Sequence, residues 1–173
     1  MRRAGTLVSL LLLLSPCLAF AEGVDPKLVG KFTYSGGDEE KAKLTAAIEK
    51  VVAQMSAFTR GIARSKLAKG NAPTTDVVIS TQGHNVTIAR SGKPPVTAPT
   101  DGSKVQQETT AGPQEVSCTL SSGSIVQDMK GKSSHSTNTF SLSPDGVTLT
   151  IHTKIESGRL PAPVVYTMTY KKH

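Results

Sequence analysis

The clearest periodic signal lies within residues 38–68, where Leu44, Ile48, Val51, Met55, Phe58 and Ile62 recur at spacings of four, three, four, three and four. Apolar positions three or four apart share one face of a helix, so the segment predicts an amphipathic helical insert. Ser35 or Asp38 is placed to cap it, and Glu39 and Glu40 supply the charge that a helix N-terminus favours. One straight helix of this length would run roughly 46 Å, longer than a small domain is wide, so a break near Ser56 or Gly61 is expected. The stripe also falls short of the roughly three to four heptads a coiled coil requires, so it should pack on its own domain.

The pattern on either side is of period two. Lys31 to Tyr34 reads as a first strand before the insert. After Gly70-Asn71-Ala72-Pro73, Val77-Val78-Ile79 and Val86-Thr87-Ile88 flank a hairpin turn at Gln82 to Asn85. Short polar strands near Val96 and Val105 follow, then alternation through Val116, Cys118 and Leu120, a turn at Ser121 to Ser124, and a return through Ile125, Gln127 and Met129. Ser143-Pro144-Asp145-Gly146 is the strongest turn, and Val164 to Tyr170 forms the last strand. Strands at this spacing predict a mainly β fold, a single antiparallel β-barrel of about 8 to 10 strands with one long or two short helices after the first.

Because side chains alternate across a strand, each turn assigns a face. Pairing Ser121 with Ser124 sets Cys118 opposite Gln127 and Val116 opposite Met129. Pairing Ser143 with Gly146 sets Leu142 opposite Val147, Phe140 opposite Leu149, and Asn138 opposite Ile151. The interior so predicted carries Gln127, Ser136 and Asn138 among apolar side chains. Buried amides need partners, so it is a hydrogen-bonded network, a cavity, or a barrel end open to solvent. Tyr166, Met168 and Tyr170 share a further inward face.

Residues 1–21 read as a signal peptide. Arg2 and Arg3 precede the apolar run Leu7 to Leu14, and Ala19-Phe20-Ala21 is an A-x-A cleavage signature. The run is shorter than the roughly 20 residues a membrane span needs, so export to the periplasm or exterior is expected, with cleavage after Ala21. Pro16 stands where a lipidation signal carries a small residue, so lipidation at Cys17 is not expected. The mature chain, residues 22–173, is then a single domain with Cys118 as its one thiol, which excludes an intrachain disulfide. A formal charge of +7 on the full chain permits binding to an anionic envelope surface through the basic helix. Export and an aromatic content of 4% argue against nucleic acid as a partner. A monomer is expected.

No zinc-protease, C-x-x-C, phosphate-loop, nucleophile-elbow or dinucleotide-binding motif occurs. In the register above His135 and His152 are diagonal neighbours, but Thr137, Thr150 and Lys154 supply no third ligand, so no metal site is expected. Cys118 has no inward histidine to activate it. No enzyme activity and no cofactor are therefore expected. Asn85-Val86-Thr87 is a glycosylation sequon that matters only in a source that glycosylates.

A Gly30-Lys31-Phe32 entry, a first strand, a helical insert and then antiparallel strands joined by short turns resemble the calycins, the lipocalin and fatty-acid-binding-protein group. The helices after strand one are closer to the fatty-acid-binding branch. The lipocalin entry motif has Trp where Phe32 stands. The fatty-acid binders carry Arg-x-Tyr on a late strand, whereas Tyr166 to Tyr170 holds no arginine. A carboxylate clamp of that kind is therefore not implied. The run from Ser143 through Arg159-Leu160-Pro161-Ala162-Pro163 to Tyr166 also resembles a group of exported bacterial proteins of unassigned activity. The resemblance to the calycins implies a carrier for a small hydrophobic, lipid-like ligand. Phe140, Leu149, Met129 and Met168 would be its apolar anchors, and Gln127, Asn138, Tyr166 and Tyr170 would orient a polar head. A void of roughly 300 Å³ or more would favour that reading over a packed barrel or an enzyme on the same fold.

Overall fold

The computed structural model describes residues 23–173. The expected signal peptide and Cys17 lie outside them. A short 3-10 turn, Pro26–Leu28, leads into β1 (Gly30–Tyr34), followed by α1 (Gly37–Val52) and α2 (Ala57–Asn71). Nine strands come after: β2 (Asp76–Gln82), β3 (Asn85–Arg90), β4 (Val96–Pro99), β5 (Val105–Thr109), β6 (Gly112–Ser121), β7 (Ser124–Lys130), β8 (His135–Leu142), β9 (Thr148–Glu156) and β10 (Val164–Lys172). Every pairing is antiparallel, and the sheet order β4-β3-β2-β1-β10-β9-β8-β7-β6-β5 joins the first strand to the last. The expected barrel with two helices after its first strand is the observed fold.

The sheet stops short of full closure between β4 and β5. Three polar contacts close the seam. The Gln107 side chain accepts from Thr97 N–H at 3.1 Å and donates to Thr97 C=O, taking both bonds that a neighbouring strand would make. Gly102 N–H donates to Cys118 C=O at 2.9 Å, beside an isolated bridge between Asp101 and Thr119.

The entry glycine has a specific reason. Gly30 sits at φ +145°, where side chains are disfavoured, and an added Cβ would lie 3.0 Å from Lys172 Cε. That close approach lets Lys172 Nζ stand 5.6 Å from the ring of the fully buried Phe32.

The helical break falls at Ser56, one of the two expected positions. Leu44, Ile48 and Val51 of α1 are buried, while Phe58 is 88% exposed and Ile62 56% exposed on α2. The break resets the rotation of the second helix, so the single stripe does not continue inward. The expected cap is also corrected: the α1 N-cap is Gly36 without a side-chain bond, and Ser35 Oγ donates instead to Thr169 C=O at 3.3 Å. Glu40 docks the helix, accepting from Thr169 N–H at 2.8 Å and Thr169 Oγ1 at 2.5 Å. Part of the basic helix face serves the helical pair itself. Arg60 Nη2 donates to Ala53 and Met55 carbonyls at 3.0 Å each, and Arg64 makes a two-point bond to Glu49 at 2.5 and 2.7 Å.

The turn at Ser121–Ser124 gives the expected register, Cys118 opposite Gln127 and Val116 opposite Met129. Ser122 (φ 49°) and Gly123 (φ 76°) form the two-residue loop whose twist suits a hairpin. At the later turn the register differs by two: Leu142 pairs with Leu149, Phe140 with Ile151, and Asn138 with Thr153. Proline fixes φ near −65° and cannot occupy a two-residue loop that needs positive φ, so Pro144 forces a longer one. Ser143 N–H donates to Thr148 C=O at 2.8 Å, Asp145 accepts from Val147 N–H at 3.0 Å, and Val147 is 45% exposed rather than inward. A shift of two preserves every other face. It does separate the histidines, with His135 opposite Glu156 and His152 opposite Thr139, roughly 13 Å apart along the strand.

Candidate functional site

All eight residues singled out from sequence face the barrel interior. Phe140, Leu149, Gln127, Asn138, Met168 and Tyr170 are buried, while Met129 and Tyr166 are partly buried nearer the helical end. Three strands carry the polar centre. Thr153 Oγ1 donates to Asn138 Oδ1 at 2.9 Å, and Asn138 Nδ2 lies 3.4 Å from Gln127 Oε1 and 3.9 Å from Met129 Sδ. The chain ends at Gln127 Nε2, which is sealed from solvent without a partner. Of the three alternatives for the inward amides, a hydrogen-bonded network is the one formed, and one donor of it is unsatisfied.

Beside this polar centre, lining one small void with Thr153, stands a cation that was not among the residues expected from sequence. Val86, Ile88 and Arg90 alternate inward on β3, and the Arg90 guanidinium lies 5.5 Å from the centre of the Phe140 ring. Arg90 as a whole is half-buried, but its Nη2 is sealed from solvent without a hydrogen-bond partner. Burial pushes this guanidinium below its ordinary value, opposed by Tyr166 and Tyr170. Lys93, in the following loop, is pushed down by burial and by Arg90. Its Nζ donates to Gly70 C=O at the end of α2 at 3.0 Å. Arginine thus reaches the interior from an early strand, although the late strand carries none.

The tyrosines connect this interior to the helices. Tyr166 Oη donates to Asn71 Oδ1 at 3.1 Å, and burial raises its phenol above the ordinary value. Tyr170 packs edge-on against Tyr34, ring centres 5.5 Å apart, with its hydroxyl 3.5 Å from Thr74 Oγ1. Beyond these contacts α2 buries no residue fully. It packs on α1 and bonds to the barrel through its C-terminal end, at Gly70 and Asn71.

A void of about 30 Å³ separates Arg90, Lys93, Thr74, Thr153, Met168 and Tyr170. That is room for about one water, so the interior does not meet the 300 Å³ expected of a carrier. A larger, open cleft of about 580 Å³ lies on the rim between the β7–β8 and β9–β10 loops.

Two chemical alternatives find no support in the geometry. Burial, with Asp128 nearby, pushes the Cys118 thiol up to about 11, away from a nucleophile's range. His135 sits between Asp128, 3.0 Å from Nε2, and Glu156, 3.7 Å from Nδ1. Among the described residues no cluster of His, Cys, Asp and Glu is arranged to hold a metal ion, and no helix is long and apolar enough to cross a membrane.

No protein-family model matches the chain, and no curated protein does so by sequence. Solved structures do match in shape. An abundant heat soluble (SAHS) protein of Ramazzottius varieornatus superposes with a TM-score of 0.56 at 14% identity, over 88% of this chain and 100% of that one. The fluorescent protein UnaG superposes with a TM-score of 0.54 at 14% identity, over 85% and 98%. Zebrafish ileal bile acid-binding protein, complexed with cholic acid, gives 0.53 at 14% identity, over 85% and 99%. With its ten strands among the described residues, its two helices after the first strand and its β4–β5 seam, the chain shares the calycin-like barrel fold of these structures.

Proposed function

We propose that this is an exported, non-enzymatic binding protein that takes up a small amphipathic molecule, an apolar body with an anionic head, into its barrel. The observation that carries the reading is Arg90, a cation whose buried Nη2 meets no acceptor. A desolvated, unpaired charge is costly, and natural interiors keep one when something else completes it. An anionic head placed in the void beside Arg90 would accept from Nη2 and draw on Lys93. The phenol of Tyr170 and the hydroxyl of Thr153 line the same void. Phe140, Ile151 and Met168 would flank the apolar body, whose burial contributes roughly 25 cal/mol per Å². The zebrafish neighbour holds cholic acid, itself an amphipathic carboxylate, and so supports this class at the level of the fold alone.

The small void means that uptake widens it, and Ala72 and Thr74, which line it, directly follow α2. The end of α2 is held by the Tyr166–Asn71 and Lys93–Gly70 bonds and by partly buried Leu67. The test is native mass spectrometry of the mature protein before and after exposure to oleate and cholate, with organic extraction of any adduct. A stoichiometric adduct with either acid is expected. A clean, unchanged mass with both would overturn the reading.

A second reading rests on α2. Phe58, Ile62, Lys66 and Lys69 recur at helical spacing on one exposed face, which suits an anionic lipid surface. Arg60 and Arg64, tied within the helical pair, are not available to it. Co-sedimentation with anionic vesicles, lost in a Phe58→Ser, Lys66→Glu variant, would favour this reading.

A further inference from the structure

The open cleft on the rim is separate from the barrel interior: Arg90, Gln127 and Asn138 do not line it. Its two walls are turns fixed to each other. Gly131 N–H donates to Ser134 C=O at 2.8 Å within one turn, and Leu160 N–H donates to Ser157 C=O at 3.0 Å within the other. Ser157 Oγ crosses between them, donating to Ser133 C=O at 2.7 Å and accepting from Arg159 N–H at 3.2 Å. Pro161 and Pro163 stiffen the second wall by fixing φ. The cleft, about 580 Å³, lies within the range of small-molecule sites.

Its chemistry is one-sided. Lys130, Lys132 and Arg159 line it, and among the described residues none of the three forms an ion pair. The single carboxylate in the lining, Glu156, is already held by Lys154 at 2.8 Å and faces His135. Leu160, Pro161 and Ala162 give the cleft an apolar side.

We propose that this cleft binds a phosphate monoester with a compact apolar substituent. A phosphoryl group carries close to two negative charges at neutral pH and three acceptor oxygens, which suits two lysines and one arginine better than a carboxylate does. The substituent lies against the Leu160–Pro161 wall. The same chemistry occurs on a free ester and on a phosphatidic acid headgroup.

The experiment titrates the isotope-labelled mature protein with phenyl phosphate and follows the amides of Gly131, Gly158 and Arg159. Inorganic phosphate, benzoate and phosphatidic acid vesicles are parallel arms. Saturable shifts with a Kd below ~1 mM are expected, weakened at least tenfold in Lys132→Gln, Arg159→Gln and reduced by salt. Arg90→Met, which removes the interior cation, should leave phenyl phosphate binding unchanged, so this site and the barrel reading succeed or fail separately. Competition by the vesicles assigns the source to a headgroup, and its absence assigns it to a soluble ester. No saturable shift, or equal shifts in the double variant, overturns the proposal. An equal response to inorganic phosphate overturns the part given to the apolar wall.

Discussion

Replacing Arg90 with Met should make the protein more stable and a poorer binder at once. The sealed Nη2 has no partner, and an unsatisfied buried donor costs about 1–3 kcal/mol. Against that stands the contact with the Phe140 ring at 5.5 Å, worth about 0.5–2 kcal/mol where water is excluded. Met matches the length of the arginine stem and restores part of that contact through its sulfur. The net expectation is a gain of about 1 kcal/mol, a rise in Tm of about 2–4 °C for a chain of this size. An anionic head loses a charge-assisted bond worth about 1.5–3 kcal/mol, so affinity for an amphipathic acid should fall roughly 10- to 150-fold. Urea titration and fluorescent fatty-acid displacement on the same samples read the two effects. A stability loss above about 1 kcal/mol would show that the guanidinium is a satisfied structural group. Unchanged affinity would show that it does not face the ligand. Either result refutes the reasoning.

Gly36 has an ordinary φ of −72°, yet an added Cβ would lie 1.7 Å from Glu40 Oε2. Gly36→Ala should therefore pull Glu40 off Thr169 and cost about 1.5–3 kcal/mol in urea unfolding, with Glu40→Ala costing a similar amount. Cys118 should resist iodoacetamide at pH 8 while folded and react once urea unfolds the chain, because burial holds its thiol up at about 11. Tyr166 has a raised phenol in the folded state, so its contribution to stability is intact below about pH 10 and is lost as pH climbs through the folded value. Unfolding titrations from pH 8 to 11 should show a steeper fall for the wild type than for Tyr166→Phe, and Tyr34, also raised, accounts for part of the remaining slope. Gln107→Ala should speed hydrogen exchange of the Thr97 amide while leaving the Ile88 amide protected.

The sequence made the barrel legible wherever local chemistry decided geometry. Ser122-Gly123 admits a two-residue loop, so the β6–β7 register could be read residue by residue. The neighbouring hairpin could not be read that way, because its loop length depends on Pro144 excluding positive φ and on Asp145 tying Val147. The helical stripe carried the position of the break but not its effect, since the phase of α2 depends on how Ala53 to Ser56 turn the chain. Arg90 escaped notice for a different reason. The alternation Val86, Ile88, Arg90 already placed it inward, but a charge at the end of a short strand usually reaches water, and only the packed neighbours on β8 and β10 show that its tip does not. What faces what across the barrel is set by closure, a long-range property that local periodicity does not encode.

The Gln107 staple has a consequence for life at high concentration. A barrel that fails to close leaves two strand edges whose free amides and carbonyls can pair with any other extended chain. Here the four residues of β4 are too few to form a long template, and the middle of that edge is already occupied by the protein's own side chain acting as a one-residue strand. A second copy would have to displace Gln107 from Thr97 before it could pair with the middle of this edge.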